Sequence, residues 1–216
     1  MPIYYFLIDD TLFQRRIVPA LADTWRGTSF QHCRELCASL LPAAHSFAEK
    51  YHVGPEEPLL SKVARGIPFD RHYFQLLVGE IFLFTASEIP EIEVTPETLC
   101  HLLAPDLSWQ TPVPREGSAP IQRALYGSRD ITFGSKVFRP DLAGLNDVHD
   151  VVELSAYLEC VDSGSWTIER LRQISSLKDD ADREDELELA KEWFPFLLQL
   201  YRRAVNRNEV IVSEIL

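Results

Sequence analysis

The chain has 216 residues, of which 46% are hydrophobic and 25% are charged. This is ordinary globular composition, and a chain of this length buries a core without disulfides or metals. The net charge of −12 repels nucleic-acid phosphates and anionic lipids, so we predict neither nucleic acid nor membrane as a partner. A basic protein or a small ion remains open as a partner, as does acidity that serves only solubility.

The ends and the cysteines indicate a reducing, cytoplasmic location. The segment Met1–Tyr5 lacks the basic and apolar regions of a signal peptide. No apolar run reaches the roughly 18 residues of a membrane span. The four cysteines are Cys33, Cys37, Cys100 and Cys160, and we predict that all four are reduced.

The first third of the chain predicts a strand followed by two helices. Aromatic and β-branched residues from Ile3 to Ile8 indicate a buried strand. Apolar residues four apart then indicate a helix that ends at Gly27. Thr28 and Gln31 match a capping box and predict the start of the next helix.

The second of these helices contains the cysteine–histidine pattern that a zinc site would need. His32, Cys33 and Cys37, together with Cys100 and His101, supply thiol and imidazole ligands. Cys33 and Cys37 lie on the apolar stripe of the helix, however, and neither pair has C-x-x-C spacing. We therefore predict buried structural cysteines and no metal.

A third helix is predicted between Asp70 and Ser87, where apolar residues surround the whole helix axis and indicate a central position in the domain. His72, Glu80 and Glu88 share one face of this helix. A desolvated Glu80 would have the raised pKa that a general acid needs. The alternatives are that this face reaches solvent or that Glu80 pairs with an arginine.

Residues 105–120 contain four prolines together with Trp109 and Gly117. This composition predicts an irregular segment, and it is the candidate for an internal hinge within a single domain that spans residues 1–216. Two short strands are predicted after it, at Ile131–Phe133 and Lys136–Phe138.

Asn146 is predicted to cap a helix whose first turn holds Asp147, His149 and Asp150. Such a cluster suits metal binding or acid–base chemistry. Acids in a first turn are also ordinary helix electrostatics. Both interpretations stay open at this stage.

The chain ends with a long helix and a strand. Seven acids lie between Asp179 and Glu188, at the start of the helix, and Val210–Leu216 forms the closing strand. We predict an α+β fold, predominantly helical, in which the N-terminal and C-terminal strands are neighbours in one small sheet.

The segment from Arg115 to Arg139 has five basic and two acidic residues, so its charge is opposite to that of the chain. It contains Gly-Ser-Arg and Gly-Ser-Lys seven residues apart. Glycine backbone, hydroxyls and cations together are suited to an anion. We therefore predict a ligand site at Ser128, Arg129, Ser135 and Lys136. The alternative is that these cations pair with acids of the same protein.

The sequence names no reaction. It has no P-loop, no H-E-x-x-H and no dinucleotide fingerprint, and we predict no cofactor. Two function classes remain. The first is a non-enzymatic binding protein that presents an acidic face to a basic protein partner, and the second is an enzyme or sensor for a small anionic ligand near residues 127–139.

Several features of the last 70 residues form one pattern: the helix Asn146–Asp162, the acidic run, and an aromatic helix from Trp193 to Ala204 that leads into Glu209–Val212. In this pattern the chain resembles the YfbM-like family of bacterial proteins. The resemblance implies an α/β domain and transfers no catalytic residues.

Overall fold

A computed structural model describes residues 3–51, 57–92, 96–105 and 117–215. Short helices and strands alternate with two long helices. In chain order the elements are β1 (Ile3–Asp9), α1 (Asp10–Leu12), a π-helical turn (Phe13–Ile17), α2 (Val18–Arg26), α3 (Gln31–Tyr51), α4 (Leu59–Ala64), a 3₁₀ turn (Arg71–Tyr73), α5 (Phe74–Thr85), β2 (Glu91–Ile92), α6 (Pro96–Leu103), α7 (Pro120–Tyr126), β3 (Ile131–Phe133), β4 (Lys136–Phe138), β5 (Ala143–Asn146), α8 (Val148–Glu159), 3₁₀ turns at Ser163–Ser165 and Ile168–Leu171, α9 (Asp180–Arg207) and β6 (Glu209–Ile215).

The two chain ends pair in one sheet, as predicted. β1 and β6 are antiparallel, with Ile3 opposite Ile215 and Asp9 opposite Glu209. The sheet has four strands in the order β2-β1-β6-β5. β-branched residues in both strands fit a pleated, buried surface, which explains why the ends pair with each other. The α+β, predominantly helical fold class is therefore confirmed.

The sheet separates two hydrophobic cores because successive side chains of a strand point to opposite faces. From β1, Tyr5 and Leu7 enter one core, which is completed by α6, α7, α8 and α9. Phe6 and Ile8 enter the other, which is completed by α2, α3, α4, α5 and the β3–β4 hairpin. The acid-rich helix and the hairpin therefore pack on opposite faces of the sheet.

The hairpin places the two Gly-Ser tripeptides at its two ends. Ile131 lies opposite Phe138, and the turn contains Gly134 with a φ of +64°, a conformation that suits glycine. Arg129 forms an isolated bridge with Leu145 of β5 at the base of the hairpin. At roughly 3.3 Å per residue along β3, the base and the tip are about 13 Å apart.

The cap of α8 differs from the prediction. Asn146 is the last residue of β5 and is wholly buried. The N-cap is Asp147, whose carboxylate accepts hydrogen bonds from the backbone N–H groups of His149 and Asp150. Asparagine and aspartate are equally good caps, so the sequence did not distinguish the two positions. The amide of Asn146 is used inside the protein instead.

Two further helix predictions are corrected. Thr28 does not form a capping box with Gln31, because its hydroxyl donates to the Asp23 carbonyl and the side chain of Gln31 donates to Glu35. The helix predicted from Asp70 begins with a 3₁₀ turn, and α5 is not buried all round, since Leu76 is 50% exposed.

Two expectations concern the segment 105–120 and membrane-spanning helices. The hinge predicted at 105–120 lies, from 106 to 116, outside the described residues. Among the helices of the described ranges, none has the length and apolar character needed to cross a membrane.

Candidate functional site

At the base of the hairpin, Arg129 is held between two carboxylates. Its guanidinium lies 3.0 Å from Asp147 and 2.7 Å from Asp150. Asp150 is nearly buried and also accepts from Arg123 at 3.2 Å. Arg123 in turn contacts Glu153 at 2.7 Å. The predicted residue Arg129 therefore has its counter-charge within its own chain.

Ser128 belongs to the same network. Its backbone N–H and its hydroxyl both donate to the side-chain oxygen of Asn146, at 2.9 and 2.6 Å. The amide nitrogen of Asn146 donates to the Arg123 carbonyl and to the Tyr201 hydroxyl, each at 2.9 Å. Tyr201 donates to the Ala124 carbonyl at 2.8 Å. These bonds join the base of the hairpin to β5, α7 and α9.

The network shifts the pKa of several members. A hydrogen bond from Arg123 lowers the pKa of Glu153, and the same contact is the main cause that raises the pKa of Arg123. Burial raises the pKa of the Tyr201 hydroxyl well above its ordinary value. These shifts keep Glu153 ionised, Arg123 protonated and Tyr201 neutral at neutral pH.

The predicted Asp147–His149–Asp150 cluster is divided by this arrangement. Both aspartates accept from Arg129 and from backbone N–H groups at the start of α8, while His149 is exposed. In the part of the chain that the structure describes, no three His, Cys, Asp or Glu side chains are grouped to hold a metal ion.

At the tip of the hairpin the surroundings are different. The Lys136 ammonium lies 5.4 Å from the centre of the Trp25 indole, and the Arg71 guanidinium lies 4.3 Å from the same centre. Arg71 also donates to the Trp25 carbonyl. Arg26 packs against the turn, where a Cβ atom at Gly134 would be 3.1 Å from its Nε atom. We call Arg26, Arg71 and Lys136 the basic cluster.

Two cations of the basic cluster, Arg71 and Lys136, lack close counter-charges among the described residues. Within the described residues, no carboxylate oxygen lies within 4.0 Å of Arg71 or Lys136, and Arg26 reaches Asp23 only at 3.9 Å. Ser135 is exposed in the turn beside them. In a chain of net charge −12, this is a local surplus of positive charge.

Two grooves open at the basic cluster. The main groove, of about 670 Å³, lies between the end of α2 and the loop after α4, and Arg26, Phe30, Phe69, Arg71 and Phe74 line it. The side groove, of about 320 Å³, is lined by Trp25, Arg71, Phe74 and Lys136 among others. Arg71 and Phe74 border both grooves.

The face predicted for His72, Glu80 and Glu88 does not form one site. His72 is 2.8 Å from Asp70 at the surface. Glu80 accepts from the backbone N–H groups of Leu59 and Leu60, at 2.9 and 2.7 Å, and so caps α4. Glu88 lies 2.5 Å from Arg203 and 3.2 Å from Arg207. Each of the three residues therefore makes a different structural contact, and the three do not come together in one site.

The cysteines are free thiols. Cys33, Cys37 and Cys100 are buried, and Cys160 is exposed. Burial raises the pKa of Cys100 to about 12. These three buried thiols are packed in the cores that the apolar stripes predicted.

The sequence did not indicate Trp25, Arg26 or Arg71 as site residues. Trp25 falls on the four-residue spacing of the apolar positions that predict its helix, and Arg71 follows Asp70, at the start of a predicted helix, without any motif. Only the packing of α2 against the 3₁₀ turn and the hairpin brings positions 25, 71 and 136 together.

Comparison with known proteins gives one similar structure. No family model and no curated protein matches the chain. A solved structure that it resembles is that of YfbM from Escherichia coli, described as a protein of unknown function. It shares 14% identity over the whole of both chains, with a TM-score of 0.49. The likeness covers the full chain, whereas the sequence resemblance lay in the C-terminal third.

Proposed function

We propose that this protein binds a small anionic ligand at the basic cluster, with Arg71 as the central contact. The observation that carries the proposal is the pair of cations, Arg71 and Lys136, on one indole ring without a carboxylate partner among the described residues. The proposal keeps Ser135 and Lys136 from the site predicted from sequence and adds Arg26 and Arg71.

An anion would neutralise the positive charges of the basic cluster. A cation–π contact attracts a cation to the ring face but leaves its positive charge uncompensated. Two such charges near Arg26 repel each other, and an anion between them removes this repulsion. A guanidinium also offers several N–H groups in a planar fork, which matches a carboxylate or a phosphate.

Ser128 and Arg129 have a different role in this proposal. An anion at Arg129 would have to displace two carboxylates that already lie within 3.0 Å of it. Asp150 is nearly buried, and the loss of Arg129 would leave it with Arg123 as its one charged partner among the described residues, which would be costly. We therefore assign Ser128 and Arg129 to holding the hairpin base, and the ligand to the tip.

A thermal-shift titration with inorganic phosphate tests the proposal. A ligand at about 100 times its dissociation constant adds roughly 2.7 kcal/mol of stability, which is about 5–10 °C for a protein of this size. Lys136→Gln and Arg71→Gln should each weaken binding about tenfold or more, because each removes a charged contact.

Lys191→Gln is the matched control, since Lys191 lies on α9 at the other face of the sheet. It should leave the phosphate-dependent shift unchanged. Equal shifts in the parent and in Lys136→Gln, or no shift with any anion, would contradict the proposal. Because Arg71 also donates to the Trp25 carbonyl, the Lys136 variant is the cleaner test.

A second candidate function concerns the acid-rich start of α9. Six acids there are exposed and form a solvent-facing surface for a basic protein partner: Asp179, Asp180, Asp182, Glu184, Asp185 and Glu188. A lysine-rich peptide should bind the parent and lose affinity in Glu184→Lys/Asp185→Lys. If that double variant binds the peptide as the parent does, this surface is not the partner site.

A further inference from the structure

We infer that the ligand of the basic cluster is an aromatic ring that carries a carboxylate or phosphate group. This inference rests on the proposed anion site and names the class of molecule that fills it. The ring would occupy the main groove, and its acidic group would lie at Arg71, which borders both grooves.

The size of the main groove favours a ligand that is larger than a lone inorganic anion. The groove has a volume of about 670 Å³, within the roughly 300–1,000 Å³ of typical small-molecule sites. A phosphate ion in contact with Arg71 would leave most of this space to water. The ligand therefore has a body as well as an acidic group.

Aromatic side chains line the main groove, where the larger part of the ligand would lie. The rings of Phe30 and Phe69 lie 5.9 Å apart with an interplanar angle of 37°. Phe74, which lines both grooves, lies 5.2 Å from Trp25. Phe30 and Phe69 are only half-buried, so each keeps part of its surface exposed. Flat rings stack on such surfaces with a gain beyond the apolar area alone.

The polar groups of the main groove favour an apolar ring over a sugar or a cationic group as the rest of the ligand. Besides the two arginines, the polar side chain in the lining is Thr24, and its hydroxyl already donates to the Ala20 carbonyl at 2.7 Å. A sugar would find few side-chain hydrogen-bond partners for its hydroxyls in this lining, so these groups would add little to its affinity. Among the residues that the structure describes, no carboxylate lines the main groove, so a cationic ring would find no counter-charge there. An apolar ring needs neither hydrogen-bond partners nor a counter-charge.

Isothermal titration of the full chain with matched probes tests the inference. We expect phenyl phosphate to bind at least about tenfold tighter than inorganic phosphate, and benzoate tighter than acetate by a similar factor, from ring burial and stacking. The phosphate and carboxylate arms show which acidic group the site prefers. Cyclohexanecarboxylate should bind more weakly than benzoate, because it is apolar but cannot stack.

Phe69→Leu should lower the ratio of phenyl phosphate to inorganic phosphate affinity about three-fold or more, while inorganic phosphate binding stays unchanged. Phe196→Leu is the control, since Phe196 is 59% exposed on α9. Equal affinities within each probe pair, or equal binding of benzoate and cyclohexanecarboxylate, would overturn the aromatic class and leave the anion site standing. Failure of all anions to bind would overturn the proposed function itself.

Discussion

The two ends of the β3–β4 hairpin carry nearly the same tripeptide, Gly-Ser-Arg at the base and Gly-Ser-Lys at the tip. At the base, Arg129 is clamped by Asp147 and Asp150. At the tip, Lys136 lies over Trp25 with no carboxylate near it among the described residues. Two similar tripeptides therefore differ in their surroundings: the cation at the base is paired within the fold, and the cation at the tip has no carboxylate partner among the described residues.

The difference comes from the neighbouring elements. The base meets the first turn of α8, where acids are favoured by the helix dipole. The tip meets the end of α2 and the 3₁₀ turn at Arg71–Tyr73, which supply arginines and aromatic rings instead. Whether a cation can bind a ligand depends on whether its own chain already supplies the anion.

The largest expected effect is at the base. Asp150→Ala should reduce the free energy of unfolding by about 2–4 kcal/mol, because Arg123 and Arg129 lose a shared, nearly buried partner. Chemical denaturation measures the loss. Phosphate binding at the tip should be retained in this variant as long as it folds. A loss below about 0.5 kcal/mol would show that the base is not the structural end.

A smaller loss of stability is expected when Tyr201, which holds Asn146 below the base of the hairpin, is replaced. Tyr201→Phe removes a buried hydroxyl that donates to Ala124 and accepts from Asn146, and it should cost about 1–2 kcal/mol. Denaturant titration of the variant gives the value. An unchanged midpoint would mean that the Asn146 network does not hold the hairpin.

Replacing Arg129 at the base and Lys136 at the tip should give a still smaller change in stability. Arg129→Gln should lower stability by up to about 1 kcal/mol, discounted because the side chain is half-exposed. Lys136→Gln should change stability by less than about 0.5 kcal/mol, since no ion pair is lost. The two melting curves in plain buffer make the comparison. The reverse order would assign the structural role to the tip.

The smallest effect is the pH dependence that Glu153 contributes at the base. Because Arg123 lowers the pKa of Glu153 below 4.5, this contact stabilises the folded state above pH 4.5. The stabilisation is lost as pH falls through the lowered value. Glu153→Gln should therefore flatten the decline of stability in acid, measured by melting from pH 6 to 3. Lys136→Gln should leave that decline unchanged.

The sequence predicted the parts of the fold that depend on local pattern. The pairing of β1 with β6 followed from two β-branched runs, and the hairpin strands were placed correctly. β5 was missed because its four residues, Ala143–Asn146, have neither alternation nor β-branched side chains. β5 is buried because it lies beside β6 in the sheet. No local sequence pattern shows that these two strands will be neighbours.

The candidate site was predictable only in part. The charge reversal between Arg115 and Arg139 directed attention to Lys136, but the same signal included Arg129, whose partners lie 18 and 21 residues further along the chain. Trp25 and Arg71 carried no signal, since a stripe aromatic and an arginine after a cap are common in any helical protein. Their role depends on long-range packing.

The central claim, that the ligand binds at the tip and not at the base, is tested most directly by nuclear magnetic resonance. Phenyl phosphate is titrated into labelled protein, and the indole N–H of Trp25, the side-chain N–H of Arg71 and the backbone N–H groups of Ser128 and Arg129 are followed. The account predicts saturable shifts at Trp25 and Arg71 and none at Ser128 and Arg129. Shifts at Ser128 and Arg129 with Trp25 and Arg71 unmoved would contradict it.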